Sequence, residues 1–300
     1  MVRSSHRTVT GQILADDHII LMGTKGGPAI RPGSSMPTSS LVRLHGRAIV
    51  LDCGLGVTRG LCDAGVSLKD LTTIIISHLH SDHYMELGPL MHTAWMAGLN
   101  APVTVWGPQG LADYWHHFCQ SMTADIDLRI EDEGRIDLRS LLNIHVLEEG
   151  HVCDDNGVLI HALRNVHPPL EQTYALSFQS AKHQVVFSGD TAPFDALDGF
   201  VRNADLLIHE AMLTAPLDDL MARIGNVDER LMAHFRRSHT KAEDVAALAS
   251  RAGVKALALH HLLPADDPNI TAEDWERAVR PHYNGPLFIG HDGLKIDLPG

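Results

Sequence analysis

Three histidines and an aspartate stand within six residues in the stretch IIISHLHSDHYMEL (74–87). His78 and His80 follow an apolar, strand-like run, and Asp82 and His83 come after them. Alternate residues at a strand end point to one side, so His78 and His80 can bind one ion while the other two face a neighbouring ion. Neutral imidazoles and carboxylates are ligands that zinc prefers, and manganese or iron at related sites. The spacing predicts a metal site rather than a solvated polar loop.

Candidate ligands also follow other apolar runs. His167 stands in RNVHPP, Asp190 follows VVFSG, and His260 and His261 follow ALAL. Each residue alone has a structural explanation, because an aspartate can cap a turn and a single histidine often serves packing. Together with the first motif they would complete a metal centre, which takes its ligands from several segments. The residues themselves leave the choice between His260 and His261 open.

The elements that must position these residues alternate between strand-like runs and helical stretches. Both ends of the chain alternate in this way, which favours an α/β fold of two sheets, each covered by helices and packed face to face. We expect residues 1–17 to be a polar lead-in and 18–300 to form one domain. Strands are predicted at 18–23, 41–54 (a hairpin), 71–77, 101–108, in four runs over 158–213 and at 254–261, helices at 56–65, 85–99, 111–122 and 241–253, a glycine- and proline-rich loop at 23–40, and mixed structure at 125–150.

The charge balance bears on the substrate. The 300 residues include 24 basic and 37 acidic ones, a formal net charge of -13. So acidic a chain is not expected to make broad contact with nucleic-acid phosphates. FRRSHTK (235–241) is the one candidate for a local basic patch. Histidine is abundant, with 21 residues, and many stand in the motifs above.

The cysteines and the hydropathy indicate the setting of the protein. Cys53, Cys62, Cys119 and Cys153 form no CxxC or CxH pattern, which argues against a thiolate zinc site and against a disulfide framework. A cytoplasmic location is therefore expected. No apolar run reaches the roughly 18 residues of a membrane span. The N-terminal stretch lacks the apolar core of a signal peptide, so a periplasmic or secreted location would require a leader removed beforehand.

The order of the motifs resembles that of the metallo-β-lactamase fold superfamily. His-x-His-x-Asp-His, a single histidine, Gly-Asp-Thr and a late histidine occur in this order over nearly the whole chain, from HIILMG to HHLLP. The resemblance implies a four-layer αβ/βα sandwich with two divalent metal ions at the sheet edges, zinc in the first instance and manganese or iron as alternatives. It implies that the first ion is held by His78, His80 and His167, the second by Asp82, His83 and His261, and both by Asp190.

Two further assignments rest on this resemblance. His261 is preferred over His260 because the family ligand stands directly before an apolar pair and a proline, as in HLLP. Asp52 in AIVLDCG matches an early aspartate of the family, which supports the metal-binding loop from behind. The pair HEA, with Glu210, and the later SHTKAEDVAALA, with His239, resemble the ribonuclease Z and arylsulfatase-like branch. In that branch the histidine protonates the leaving group and the glutamate orients the histidine. Asp82 would hold the attacking water.

The resemblance therefore implies a hydrolase in which a hydroxide between two metal ions attacks an ester-type bond. A small-molecule sulfate ester, phosphodiester, lactone or other cyclic substrate is preferred, and tRNA 3′ processing of the ribonuclease Z type is the alternative. A non-catalytic metal-binding module is disfavoured, because all seven ligands are present. Relatives of this kind often form homodimers, and a homodimer is expected here.

Three features of the sequence argue against RNA as the substrate. Ribonuclease Z carries a glycine- and proline-rich arm between the segments that match HEAML and SHTK, and here that stretch is short and acidic in its first part. The family's proline-x-x-arginine-asparagine loop keeps Pro28 and Arg31 but has Pro32 in place of asparagine. The net charge is -13. Nucleic acid is therefore not expected as a partner. Substrate choice is assigned to loop 24–38, to segment 212–238 and to helix 86–98 with its His92, Trp95 and Met96, although core packing is the preferred role for Trp95 and Met96.

Overall fold

The computed structural model describes residues 17–214, 229–265 and 267–299. Apart from Asp17, the predicted lead-in lies outside the described residues. The strands are β1 (His18–Gly23), β2 (Ser39–Leu44), β3 (Arg47–Leu51), β4 (Thr73–Ile75), β5 (Val103–Gly107), β6 (Leu142–Val146), β7 (Gly150–Asp154), β8 (Leu159–Arg164), β9 (Tyr174–Gln179), β10 (Gln184–Phe187), β11 (Leu206–Met212), β12 (Leu257–Leu263), β13 (Leu287–Ile289) and β14 (Leu294–Asp297).

The helices cover the outer faces of the strands. They are α1 (Val57–Asp63), α2 (Ser81–Tyr84), α3 (Leu87–Met96), α4 (Leu111–Ser121), α5 (Thr123–Glu133), α6 (Ala196–Phe200), α7 (Glu229–Ser238), α8 (Ala242–Arg251) and α9 (Ala272–Val279), with short 3-10 turns at Leu68–Asp70 and Leu138–Ser140. None of the helices in the described part of the chain is long and apolar enough to cross a membrane.

The strands form two seven-stranded sheets of matching construction. The first has the order β14-β1-β2-β3-β4-β5-β6, and the second has the order β13-β12-β11-β10-β9-β8-β7. In both sheets, pairing is antiparallel at one side and parallel at the other, with the change at β3 in the first sheet and at β10 in the second. The parallel halves bring the carboxyl ends of successive strands to a common edge, where ligand sites of α/β proteins lie.

Three apolar clusters give the molecule four layers. Alternation along β1 shows how they arise: Ile19 and Leu21 face the second sheet, whereas Ile20 faces the helices. One cluster lies between the two sheets, one between the first sheet and α1, α3, α4 and α5, and one between the second sheet and α6, α8 and α9. The predicted αβ/βα sandwich is thus confirmed, with aliphatic packing in its centre.

Local boundaries differ from the sequence prediction in informative ways. The strand expected at 254–261 runs from Leu257 to Leu263, because it continues as a paired strand past its two histidines. The predicted run of four strands over 158–213 is interrupted by α6. The mixed stretch 125–150 resolves into most of α5, a 3-10 turn and β6.

A β-bulge in β12 determines which of two adjacent histidines reaches the site. Glu210 of β11 pairs with His260, but the next residue, Ala211, pairs with Leu262. His261 is therefore the extra residue, and its φ of 43° lies in the left-handed region. Bulges of this kind redirect a side chain out of the regular alternation. His260 and His261 consequently face different parts of the molecule.

Candidate metal centre

The first ligand group consists of His78, His80 and His167. Nδ1 of His80 lies 3.2 Å from Nε2 of His78 and 2.9 Å from Nε2 of His167. Ligand nitrogens about 2.0 Å from a tetrahedral zinc ion are separated by about 3.3 Å. The three rings thus converge as ligands of a single ion would, and Nδ1 of His167 donates to the Ser238 carbonyl oxygen at 2.8 Å, which fixes that ring.

The second ligand group consists of Asp82, His83 and His261. Oδ2 of Asp82 lies 3.4 Å from Nε2 of His261 and 3.7 Å from Nε2 of His83. Nε2 of His83 is buried and has no hydrogen-bond partner among the described residues. A buried nitrogen of this kind is costly unless something binds it, so the residues present fit a divalent cation. Oδ2 of Asp82 also accepts a hydrogen bond of 2.8 Å from the Gly27 N–H.

Asp190 lies between the two groups. Its Oδ2 is 3.0 Å from Nε2 of His261, 3.4 Å from Nε2 of His83 and 3.7 Å from Nε2 of His78. One carboxylate oxygen therefore faces ligands of both groups. The preceding Gly189 has a φ of 57°, and a Cβ there would lie 2.4 Å from the Tyr174 carbonyl oxygen. Only glycine fits this turn, which explains the Gly-Asp sequence.

The electrostatics of the two groups differ. Burial lowers the pKa of His78 and His80, and that of His167 to about 3, so these rings are neutral and in the form that binds metal. Burial also acts to lower the pKa of His261, but the carboxylates of Asp190 and Asp82 outweigh it and raise that pKa to about 10. The two carboxylates therefore favour positive charge at the second group, which a divalent cation would supply.

Asp52 supports the first motif as the sequence predicts. Its Oδ1 accepts from the Ser77 N–H at 2.7 Å, and its Oδ2 accepts from the Ser77 hydroxyl at 2.9 Å and from Nδ1 of His83 at 2.8 Å. The bond to Nδ1 places the lone pair of His83 on Nε2, facing Asp190. Ser77 itself was not singled out from the sequence, because one buried serine beside a motif carries no signal.

The predicted acid and its orienting glutamate meet at the same centre. Nδ1 of His239 donates to Oε1 of Glu210 at 3.1 Å, and this oxygen also accepts from the backbone N–H groups of Thr191 and Thr240. The His239 ring stacks on that of His261, with centroids 5.5 Å apart. His239 is therefore held with one ring nitrogen on Glu210 and the other beside the ligands.

His260 makes no contact of its own with the ligand groups. It lines a small cavity of about 20 Å³ that His261, Asp190 and Asp52 line as well, but neither of its ring nitrogens has a hydrogen-bond partner among the described residues, whereas Nε2 of His261 lies 3.0 Å from Oδ2 of Asp190. Burial is the main cause that lowers its pKa to about 3. The structure thus directs His261, not His260, into the centre.

A larger cavity of about 370 Å³ opens onto the metal centre. Residues 25–31 of the predicted substrate loop form one wall, and α7 forms another with Leu231, His234 and Phe235. The assignment of helix 86–98 to this pocket is wrong, since Trp95 is buried in the outer core and His92 bonds to Asp125 on α5. Of segment 212–238, residues 215–228 lie outside the described residues.

His234 is a site residue that sequence reasoning missed. Its ring centroid is 5.9 Å from that of His80 and 5.8 Å from that of His167, and burial followed by the neighbouring His239 lowers its pKa to about 4. The sequence feature that indicates His234 is its position five residues before His239, about one and a half helical turns away.

Comparison with known proteins identifies the family. The family described as "Anti-Pycsar protein Apyc1" matches residues 18–247. Ribonuclease Z of Mycobacterium bovis (strain BCG / Pasteur 1173P2) is 30% identical over 283 residues, which cover 93% of this chain and 98% of that protein. The chain belongs to the metallo-β-lactamase fold superfamily, in the group of ribonuclease Z and Apyc1.

Solved structures show the metallo-β-lactamase fold over nearly the whole chain. The metallo-β-lactamase fold protein YhfI of Bacillus subtilis superposes with a TM-score of 0.69 at 20% identity, covering 94% of this chain and all of that one. The short form of human tRNase Z gives a TM-score of 0.66 at 20% identity, with the same coverage. Zn²⁺-bound PqqB of Methylobacterium extorquens gives 0.66 at 14% identity, again covering 94% of this chain and all of that one.

The metallo-β-lactamase fold relatives and the ligand groups together support a metal-dependent hydrolase. The ribonuclease Z part of the predicted resemblance is confirmed, whereas the arylsulfatase-like part stays a prediction. The expectation that nucleic acid is not a partner is wrong, because the curated relatives at 29–30% identity that match over nearly their whole length are named ribonuclease Z. The expectation relied on the net charge, which averages over the whole protein surface. The charge at the pocket is a local property, and Lys25 and Arg31 contribute positive charge to the pocket wall.

Proposed function

We propose that this chain is a phosphodiesterase that cleaves RNA in the manner of ribonuclease Z, the 3′-processing endoribonuclease of tRNA precursors. The observation that carries the proposal is the position of the Glu210–His239 pair beside two converging ligand groups. This is what phosphodiester hydrolysis requires, namely charge stabilisation at phosphorus and a proton donor for the leaving oxygen. The ribonuclease Z relatives, similar over 98% of their length, support the substrate class.

The metal ions are part of the proposal. His78, His80 and His167 would hold one ion, Asp82, His83 and His261 the other, and Asp190 both. Zinc suits this set of imidazoles and carboxylates, and the structurally similar PqqB binds Zn²⁺. When bound, such ions lower the pKa of water toward neutrality and take up negative charge that develops on the phosphoryl oxygens.

The residues of the chain supply orientation and proton transfer. Oδ2 of Asp82, which accepts from the Gly27 N–H, ties the pocket loop to the ligands and is placed to accept a hydrogen bond from the attacking water. Glu210 holds the Nδ1–H of His239, so that a proton carried on Nε2 can pass to the leaving oxygen. The backbone bonds from Thr191 and Thr240 keep the glutamate itself in place.

The electrostatics around the pocket suit RNA better than the total charge does. Lys25 and Arg31 line the pocket, and Arg236 and Arg237 are exposed on the outer face of α7 next to it. Positive charge around the pocket attracts the phosphates of an RNA chain. Cleavage of RNA should therefore weaken steeply as the salt concentration rises.

The test begins with metal analysis of the purified protein, followed on the same sample by turnover of a panel. The panel contains a tRNA precursor with a 3′ trailer, an aryl phosphodiester, an aryl sulfate, a lactone and a β-lactam. Two zinc ions per chain with cleavage of the precursor at its trailer is the expected result. Turnover of the sulfate or lactone with the precursor left intact would overturn the RNA substrate in favour of a small-molecule ester.

A further inference from the structure

His234 is directed at the substrate pocket but belongs neither to the proposed ligand set nor to the acid pair. It lies on α7 (Glu229–Ser238), where Leu231, His234 and Phe235 follow the i, i+3, i+4 spacing of one helix face and line the pocket. Phe235 anchors this face against Met212 and Leu263. The helix therefore presents the His234 ring to the pocket from a fixed support.

The hydrogen bonds behind His234 determine what its ring offers. Nδ1 of His234 lies 3.3 Å from the hydroxyl oxygen of Ser238, and this hydroxyl donates its own hydrogen to the Pro168 carbonyl oxygen at 2.9 Å. Because the hydroxyl hydrogen is used, its oxygen is the acceptor and Nδ1–H of His234 is the donor. Nε2 is then left to the pocket with a lone pair, as an acceptor.

An acceptor at this place does not suit a phosphate oxygen, which also only accepts. It suits a hydroxyl group, and among nucleic acids a sugar hydroxyl next to the scissile bond is present in RNA and absent from DNA. On the basis of the proposed function, we propose that His234 accepts a hydrogen bond from the 2′-hydroxyl of a nucleotide adjacent to the cleaved phosphodiester. His234 is thereby a specificity-determining residue that favours RNA over DNA.

The test combines one protein change with one substrate change. Three forms of a tRNA precursor are prepared: one with all-ribose sugars, and two with a single 2′-deoxynucleotide on one or the other side of the cleavage position. The kcat/KM of each substrate is measured for wild type and for His234→Phe. In wild type, one of the two deoxy substitutions should lower kcat/KM about tenfold, the effect of one lost hydrogen bond to a half-buried acceptor. His234→Phe should show a similar loss on the all-ribose substrate and no additional loss on the deoxy one.

Two further variants make the result specific. His234→Gln keeps an acceptor oxygen and should restore part of the discrimination between ribose and deoxyribose. His116→Ala removes a histidine from the exposed face of α4 and should behave as wild type. Metal content should be the same in all of these proteins.

The outcomes separate this inference from the function it rests on. Equal deoxy penalties in wild type and His234→Phe would overturn the contact while leaving the ribonuclease intact. Loss of an ion from His234→Phe would overturn it too, because His234 would then be a ligand. A metal-loaded wild type that leaves every all-ribose precursor uncut would instead overturn the proposed function itself.

Discussion

The two sheets supply the metal centre in different ways. The first sheet delivers four of the ligand side chains from one stretch of six residues, 78–83, which follows β4 and runs into α2. The second sheet delivers His167, Asp190, His239 and His261 from four separate places over 95 residues. A compact cluster of ligands can be oriented by one neighbouring hydrogen-bond partner, whereas scattered ligands each need a partner of their own.

The supports follow this division. Asp52 fixes the first-sheet loop through both Ser77 and His83, and the Gly27 N–H adds one bond to Asp82. In the second sheet, His167 is held by the Ser238 carbonyl oxygen and His239 by Glu210. Damage to the first region should therefore spread to both ligand groups, and damage to the second should stay local. Asp190 is the exception, because it faces both groups.

Asp190→Asn should have the largest effect. The amide cannot bridge two cations as a carboxylate does, so metal content should fall from two ions per chain toward one. Activity should fall by more than the about 10- to 100-fold that loss of an outer hydrogen-bond partner costs. Metal analysis and kcat/KM on the same sample measure both, with Asp198→Asn on the surface as the control. Unchanged stoichiometry would show that the bridge is assigned wrongly.

His239→Ala should leave the metal content intact, since the change is local to the second sheet. Without the proton donor, substrates with poor leaving groups should slow by about 10²- to 10⁴-fold. An activated aryl phosphodiester, whose leaving oxygen needs no proton, should slow much less. A plot of rate against leaving-group pKa for both proteins measures this. Equal losses on all substrates would argue that His239 has another role.

Asp52→Asn tests whether the first-sheet loop acts as a unit. One acceptor is replaced by an amide donor facing Ser77 and His83, so we expect the affinity for both ions to fall about 10- to 100-fold. Competition with a chelating indicator measures it. Glu210→Gln is the matched change in the second sheet and should leave metal affinity near that of wild type. Similar metal affinities in both variants would remove the distinction between the sheets.

His260→Leu should have the smallest effect. The histidine reaches no ligand, and its buried ring nitrogens are without partners among the described residues, so an apolar side chain of similar size is tolerated. Metal content should stay at the wild-type value, and the melting temperature should not fall. The neighbouring His261→Leu should lose one ion. The opposite pattern would exchange the two assignments.

The same division explains what the sequence could predict. The first motif is visible because four candidate ligands, three histidines and one aspartate, stand together after a strand. The second-sheet candidates also follow apolar runs, but only the family pattern assigns them as ligands, since nothing local distinguishes His167 from a structural histidine. The choice of His261 depended on that pattern as well, because the bulge that redirects it is a property of pairing with β11.

The layers were predictable because apolar alternation fixes which face of a strand is buried. The residues that line the pocket were harder to predict. Trp95 and Met96 have a composition that suits a pocket, yet their helix packs on the outer face of the first sheet. His234 escaped notice because which face of a helix meets the pocket is decided by tertiary packing, here by Phe235 against Met212 and Leu263.

The cluster between the sheets has a consequence beyond stability. Each ligand group takes residues from both sheets, so the thickness of this aliphatic and aromatic layer sets how far the two halves of the centre stand apart. Phe178 and Phe187 are part of it. The layer works as a spacer between the ligands that the two sheets contribute to each group. Interior substitutions can therefore tune catalysis without touching any residue that binds metal or substrate.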